Sequence, residues 1–191
     1  MPAVSQQENR IQLLFSERFG LSLRKIPEAD VPTPDFKMYA GTEEIAVLEV
    51  KVLESTAPGV TPSEMLQNGL TPDAQVDNCA GRVAKKIHEA VRQFERSTLP
   101  TVLVLLSNDD ACDKFDLQEA LGGSLSYGEM KITTLRPETA RRAAGDKSEI
   151  DLYVWVDGRS EEDPGLVTTS AIGRALRFQY FDPRLTKSRP A

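Results

Sequence analysis

Residues 44–54, EIAVLEVKVLE, form the clearest strand signal in the chain. Side chains alternate along a strand, so Leu48, Val50 and Val52 share one face. Ile45, Val47, Glu49, Lys51 and Leu53 share the other. Glu49 and Lys51 are therefore neighbours, bracketed by apolar groups. Burying a charge is costly, and even a paired charge seldom adds net stability. A strand chosen for folding alone would carry Thr or Val at these positions, so the charges point to chemistry.

Gly41-Thr42 is a hairpin signal, and DFKMYA (35–40) before it alternates in the same way. Counting back about that turn sets Asp35 opposite residue 48 or 49, where it can face Glu49. Two carboxylates brought this close repel one another and favour a shared divalent cation. Their oxygens are hard ligands suited to Mg²⁺, with Mn²⁺ as a substitute. The backbone carbonyl of Val50 offers one more ligand, and Lys51 would lie beside the metal-bound water. The bland alternative is an ion pair between Lys51 and one acid, which leaves the other acid without a partner.

On the N-terminal side, residues 5–19 read as an amphipathic helix through Ile11, Leu14, Phe15 and Phe19, stopped by Gly20. LSLRKI (21–26) alternates as a short strand. Residues 55–79 are rich in Pro and Gly and read as a long loop. A second amphipathic helix covers 80–96, on the stripe Ala80, Val83, Ala84, Ile87, Ala90, Val91 and Phe94. TVLVLLS (101–107) is apolar on both faces, the mark of a buried strand. Three strands joined by short links should form an antiparallel meander, and a helical crossover then returns a parallel strand. Beyond this core (5–107), residues 108–157 read as an α/β extension of the sheet. It holds helices near 114–121 and 137–144 and strands near 129–135 and 150–156. Residues 158–170 read as a loop. The expectation is one domain over 1–157, followed by a loop and a basic, aromatic segment over 158–191.

Pro34-Asp35 followed by Glu49-Val50-Lys51 in an apolar strand resembles the PD-(D/E)xK nuclease motif, and the order of elements over 5–107 resembles that superfamily's αβββαβ core. The resemblance implies an α/β fold of the restriction-endonuclease type, with a mixed central sheet flanked by helices. It implies Mg²⁺-dependent hydrolysis of phosphodiester bonds, of DNA before RNA and as an endonuclease before an exonuclease. Asp35 and Glu49 then serve as metal ligands and Lys51 as the residue that positions or activates water. Members often carry a glutamate from the first helix into the metal site, and Glu8 resembles it. Ser5-Gln6-Gln7-Glu8 is equally a capping box, and both readings stand. The helix after the ExK strand often delivers a basic or glutamine residue to phosphate. Arg82, Lys85, Lys86 and Gln93 form the polar face here, with Lys86 matched first. Many members also dimerise to cut both strands. A catalytically inactive module on the same fold, binding nucleic acid or a protein partner, is the other reading. It would ordinarily have lost one of the three motif residues.

The net charge of −6 suits a nucleic-acid enzyme only through its distribution. Residues 80–100 carry net +3 and residues 171–191 net +4, against −6 over 1–79 and −7 over 101–170. Phosphate binding requires a local basic patch of this kind. In the tail, Arg174 and Arg177 are candidate nucleic-acid contacts, interleaved with Phe178, Tyr180 and Phe181. Those aromatics read as a C-terminal strand packed on the core. The lone histidine, His88, sits within the second helix as a helix-surface or packing residue, and a single histidine excludes two-histidine nucleases. Asp109, Asp110, Asp113 and Asp116 miss the calcium-loop spacing, and Asp109 reads as a loop or helix-start residue. Cys79 and Cys112 lack metal-ligand spacing and a partner cluster, and are expected to be free thiols. No signal pattern opens the chain and no apolar run spans a bilayer, so a cytoplasmic protein off the membrane is expected. No recognition domain is evident, which leaves specificity to the 55–79 loop, the tail or a protein partner.

Overall fold

The computed structural model describes residues 5–27, 29–55, 79–127, 130–132, 135, 137–160 and 162–182. Most of the 55–79 loop, and the tail beyond Asp182, lie outside the described residues. Helix α1 (Gln6–Leu14) starts at Ser5, whose side chain accepts from the Glu8 N–H while Glu8 reaches back to the Ser5 N–H. One π-helical turn, Phe15–Phe19, carries it to Gly20. Strands β1 (Ser22–Lys25), β2 (Phe36–Ala40) and β3 (Glu43–Leu53) form the antiparallel meander. Gly41 makes the β2–β3 turn at φ 62°, a conformation that favours glycine. Helix α2 (Cys79–Phe94) then crosses over to β4 (Thr101–Ser107), which pairs parallel with β3. All seven residues of β4 are buried, as its two-sided apolar sequence requires.

The remainder is α3 (Lys114–Gly122), β5 (Leu125–Tyr127), β6 (Met130–Ile132), α4 (Pro137–Asp146), β7 (Leu152–Asp157), β8 (Gly165–Thr168) and α5 (Ala171–Leu176). A π-helical turn, Arg177–Phe181, continues α5. The main sheet runs β1-β2-β3-β4-β7-β8, parallel across β3-β4-β7 and antiparallel elsewhere. This is an α/β architecture with a mixed six-stranded sheet. Among the described residues, α1 and α5 pack on one face through Ile11, Phe15, Leu176 and Phe181. Helices α2, α3 and α4 pack on the other through Val83, Ile87, Leu117 and Ala143.

Four expectations change. Among the described residues, the strand near 129–135 does not extend the main sheet: β6 pairs with β5, a strand unread in the sequence, as a separate hairpin. The 158–170 loop contains β8, which uses the free edge of β7. The tail aromatics lie on the π-helical turn that continues α5 rather than on a strand. There Tyr180 and Phe181 are buried and Phe178 is exposed. Ile45 joins the α1-side core with Leu48 instead of facing Glu49's side. The register slips between Met38 and Tyr39, so Ile45 is the extra residue of β3 and alternation breaks there.

Asp151 anchors the C-terminal helix to the sheet. Its carboxylate accepts from the Thr101 N–H at 3.0 Å and the Ser170 hydroxyl at 2.6 Å. Its carbonyl lies 1.8 Å from where a Cβ on Gly173 would stand. Gly173→Ala is expected to destabilise the protein by about 1–3 kcal/mol through this overpacking. Urea unfolding checks it, and an unchanged midpoint would show that α5 can lift without loss.

Candidate active site

The hairpin at Gly41 pairs Phe36 with Leu48, and one step outward brings Asp35 level with Glu49. The two residues interlock. The Asp35 N–H donates to Glu49 Oε2 at 3.0 Å, and the Val50 N–H donates to Asp35 Oδ2 at 2.8 Å. Strand β2 begins at Phe36, so the carboxylate of Asp35, just before it, takes a β3 N–H that a further ladder residue would otherwise serve. Lys51 lies two residues on, its Nζ 2.8 Å from Glu49 Oε1. Glu49 and Lys51 occupy the α2 side of β3, between Val47 and Leu53 of that core.

Glu49 is 4% exposed. Burial and then the neighbouring Asp35 charge push its carboxyl up to about 7, against the opposing pull of Lys51. Burial is the larger cause, the Asp35 charge adds to it, and a cation beside the pair would favour the ionised form.

Asp35 has a second partner that the sequence reading missed. Lys25 Nζ lies 3.3 Å from Asp35 Oδ1 and also pairs with Glu8 Oε1. Alternation along β1 supplies the signal: Leu21 and Leu23 are buried, and Lys25 follows on the same inward face. Glu8 lies on the inward stripe of α1 with Ile11 and Phe15. Joining the two required knowing that α1 lies across β1. Glu8 makes the capping box, and it meets the acid pair only through Lys25. One oxygen accepts the Ser5 N–H at 2.7 Å in the capping box, while the other reaches the site through Lys25. Burial works against both charges. It is the largest single influence on each, but the Lys25 and Ser5 bonds together hold Glu8 below its usual value, and Glu8 and Asp35 together raise Lys25.

The candidate phosphate contacts do not gather here. Arg82 is turned inward, paired with Asp109 at 2.6 Å and bonded to the Glu54 carbonyl. It closes the ends of β3 and β4, and Asp109 is the loop residue expected, accepting the Ala111 N–H at 2.9 Å. Lys86 pairs with Glu89 on its own helix at 3.1 Å. Lys85 is exposed and lines a groove between α2 and α4 with Arg92 and Arg142, while Gln93 is half-buried nearer the end of α2. His88 packs as expected, 2.9 Å from Asp146. Arg174 and Arg177 are exposed beside Phe178 and Leu166, at the β8 edge of the sheet. Three strand spacings, about 14 Å, separate that edge from β3.

The donor set of Asp35 and Glu49 fits a hard divalent cation in kind. Each of the four oxygens accepts one bond within the chain and keeps a second lone pair. Glu8, Asp35 and Glu49 do not form a tight trio. Among the described residues, only Cys79, Cys112 and Asp116 bring three such donor atoms within 4.8 Å of one another. This corrects the reading of the cysteines as lacking a cluster, although both are free thiols as expected.

No family model, curated protein or solved structure matches this chain.

Proposed function

We propose that this chain is a divalent-metal-dependent nuclease of the PD-(D/E)xK kind, an endonuclease acting on DNA. The observation that carries the reading is the interlocked Asp35–Glu49 pair on adjoining strands, with the Lys51 ammonium 2.8 Å from Glu49. The order α1-β1-β2-β3-α2-β4, with β4 parallel to β3, supports it.

Asp35 and Glu49 would hold the ion, with the Val50 carbonyl beside them. Bound Mg²⁺ supplies a Lewis acid for the scissile phosphate and lowers the pKa of coordinated water. The chain's own groups do the rest. Glu49 would serve as a ligand in its ionised form. Lys51 keeps a fixed positive charge where negative charge grows on the phosphate. Lys25 holds Asp35 in place and is a positioning residue, with Glu8 behind it. The exposed Arg174, Arg177 and Phe178 offer DNA a second contact away from the reacting bond.

A catalytically inactive module has one observation in its favour. Each acid already has a lysine, Lys25 for Asp35 and Lys51 for Glu49, so the network is complete as a set of ion pairs. Incubation with duplex, single-stranded and branched DNA and with RNA, in Mg²⁺ or Mn²⁺, separates the readings. Metal-dependent cleavage of DNA is expected, and no cleavage of any form with either ion would leave the inactive reading. Asp35→Asn is expected to weaken Mg²⁺ binding in calorimetric titration without unfolding the protein, because it relieves repulsion on Glu49. Unchanged affinity would remove Asp35 from the ligand set. Among the described residues no helix is long and apolar enough to cross a membrane, and we place the enzyme's work in the cytoplasm.

A further inference from the structure

Cys79 is the first residue of α2, and Cys112 and Asp116 flank the start of α3. The sequence separates the first cysteine from the others by a helix and a strand, and the parallel crossover brings them back together. Both thiols belong to the α2-side core, 5% and 1% exposed. The Asp116 carboxylate is half-buried against them. One of its oxygens accepts the Asp113 N–H at 2.7 Å, completing the capping box of α3. The Cys79 thiol donates to the Ala111 carbonyl at 3.2 Å.

We propose that Cys79, Cys112 and Asp116 form a second metal site, for a thiophilic divalent cation of the zinc type. Two sulfurs and one carboxylate oxygen lie within 4.8 Å of one another. Zinc takes sulfur at about 2.3 Å and carboxylate oxygen at about 2.0–2.2 Å, so these donors sharing one tetrahedral ion stand roughly 3.5–3.8 Å apart. Closing the difference takes an ångström or so of side-chain motion. Three protein ligands leave the fourth position to water or to the Ala111 carbonyl. Binding breaks two S–H bonds, forms two metal–sulfur bonds and one metal–oxygen bond, and sends two protons to solvent. Two thiolates and a carboxylate around a divalent ion carry one net negative charge. The Arg82 guanidinium favours the ionised form of both sulfurs, and its partner Asp109 opposes this.

The soft donors separate this site from the Asp35–Glu49 pair. Hard Mg²⁺ suits carboxylates, and thiolate selects zinc-like ions. The ion would tie the start of α2 to the start of α3, and thereby steady the helix that covers Glu49 and Lys51.

Co²⁺ as a spectroscopic stand-in for Zn²⁺ tests the proposal on the full chain, reduced and stripped of metal. A sulfur-to-cobalt charge-transfer band is expected, bleached by one equivalent of Zn²⁺ and untouched by excess Mg²⁺. Cys112→Ser should abolish the band. Asp116→Asn should retain it with weaker binding. An outer-shell partner alone is worth about 10–100-fold in affinity, so losing this ligand should weaken binding by at least as much. Should the cysteine variant fail to fold, the wild-type chain still decides: Zn²⁺ must release two protons per ion in weakly buffered solution. No charge-transfer band, no proton release, or a band that survives in Cys112→Ser would each overturn the site. So would a chain that stays two hydrogens lighter under reductant and binds no cobalt, because the thiols would then be a disulfide. None of these outcomes depends on nuclease activity.

Discussion

Lys51→Ala is expected to lower DNA cleavage by at least about 10²–10³-fold, the range for removing one preorganised electrostatic stabiliser. Its Nζ stands 2.8 Å from a carboxylate placed to hold the metal, so it lies next to any phosphate that the ion would carry. The substitution also strips Glu49 of its counter-ion. Burial and Asp35 already raise the Glu49 carboxyl to about 7, and without Lys51 it climbs further. At neutral pH the variant would then bind Mg²⁺ poorly for a reason unrelated to the chemical step. The comparison belongs at a pH of about 8.5–9, where more of Glu49 is ionised, with Mg²⁺ held at saturation by calorimetry. Lost cleavage with metal binding retained assigns the chemistry to Lys51. Cleavage near the wild-type rate would take Lys51 out of the mechanism.

The legibility of this site follows the range over which each signal acts. Alternation and a two-residue turn are local, and they carry Asp35 to Glu49 within one residue of the observed register. Two-sided burial of TVLVLLS is local as well, and it fixes β4 inside the sheet. Alternation fails at Ile45, because the register slip between Met38 and Tyr39 changes parity without changing composition. Lys25 was half legible. Its inward face shows in LSLRKI, but its partners come from α1 and from beyond a proline-rich link. Gly165–Thr168 is four residues of half-buried edge strand, too short to show a period inside a polar stretch. The Cys79–Cys112–Asp116 cluster had no signal of this kind, because its spacing exists only once the crossover has closed. Arg82 shows the opposite failure. Helical periodicity put it on a polar face, and the approach of Asp109 turned that face inward.

Glu49→Gln should flatten the fall in stability that the wild-type protein shows from about pH 4.5 to 7. The folded-state carboxyl titrates near 7 and its ordinary value is 4.5. Below 4.5 the group is protonated in both states and has no effect. Between those values the folded state binds the extra proton, so stability falls as pH rises. Above 7 both states are ionised and the whole penalty stands, roughly 3 kcal/mol for a shift of this size. Glu8 and Asp109 are shifted the other way and lose their contribution only as the medium becomes more acid. The half-buried Asp116 is raised like Glu49 and adds a slope of the same sign. The difference between wild type and variant therefore isolates Glu49. Urea unfolding at half-unit steps of pH reads it, and parallel curves would show that Glu49 ionises normally. The same proton links to the metal. Mg²⁺ requires the ionised carboxylate, so wild-type affinity should rise about tenfold per pH unit up to 7 and then level off. Glutamine has no proton to displace, so what affinity it keeps should not follow this rise. A metal affinity that ignored pH in the wild-type protein would mean that the ion binds without Glu49.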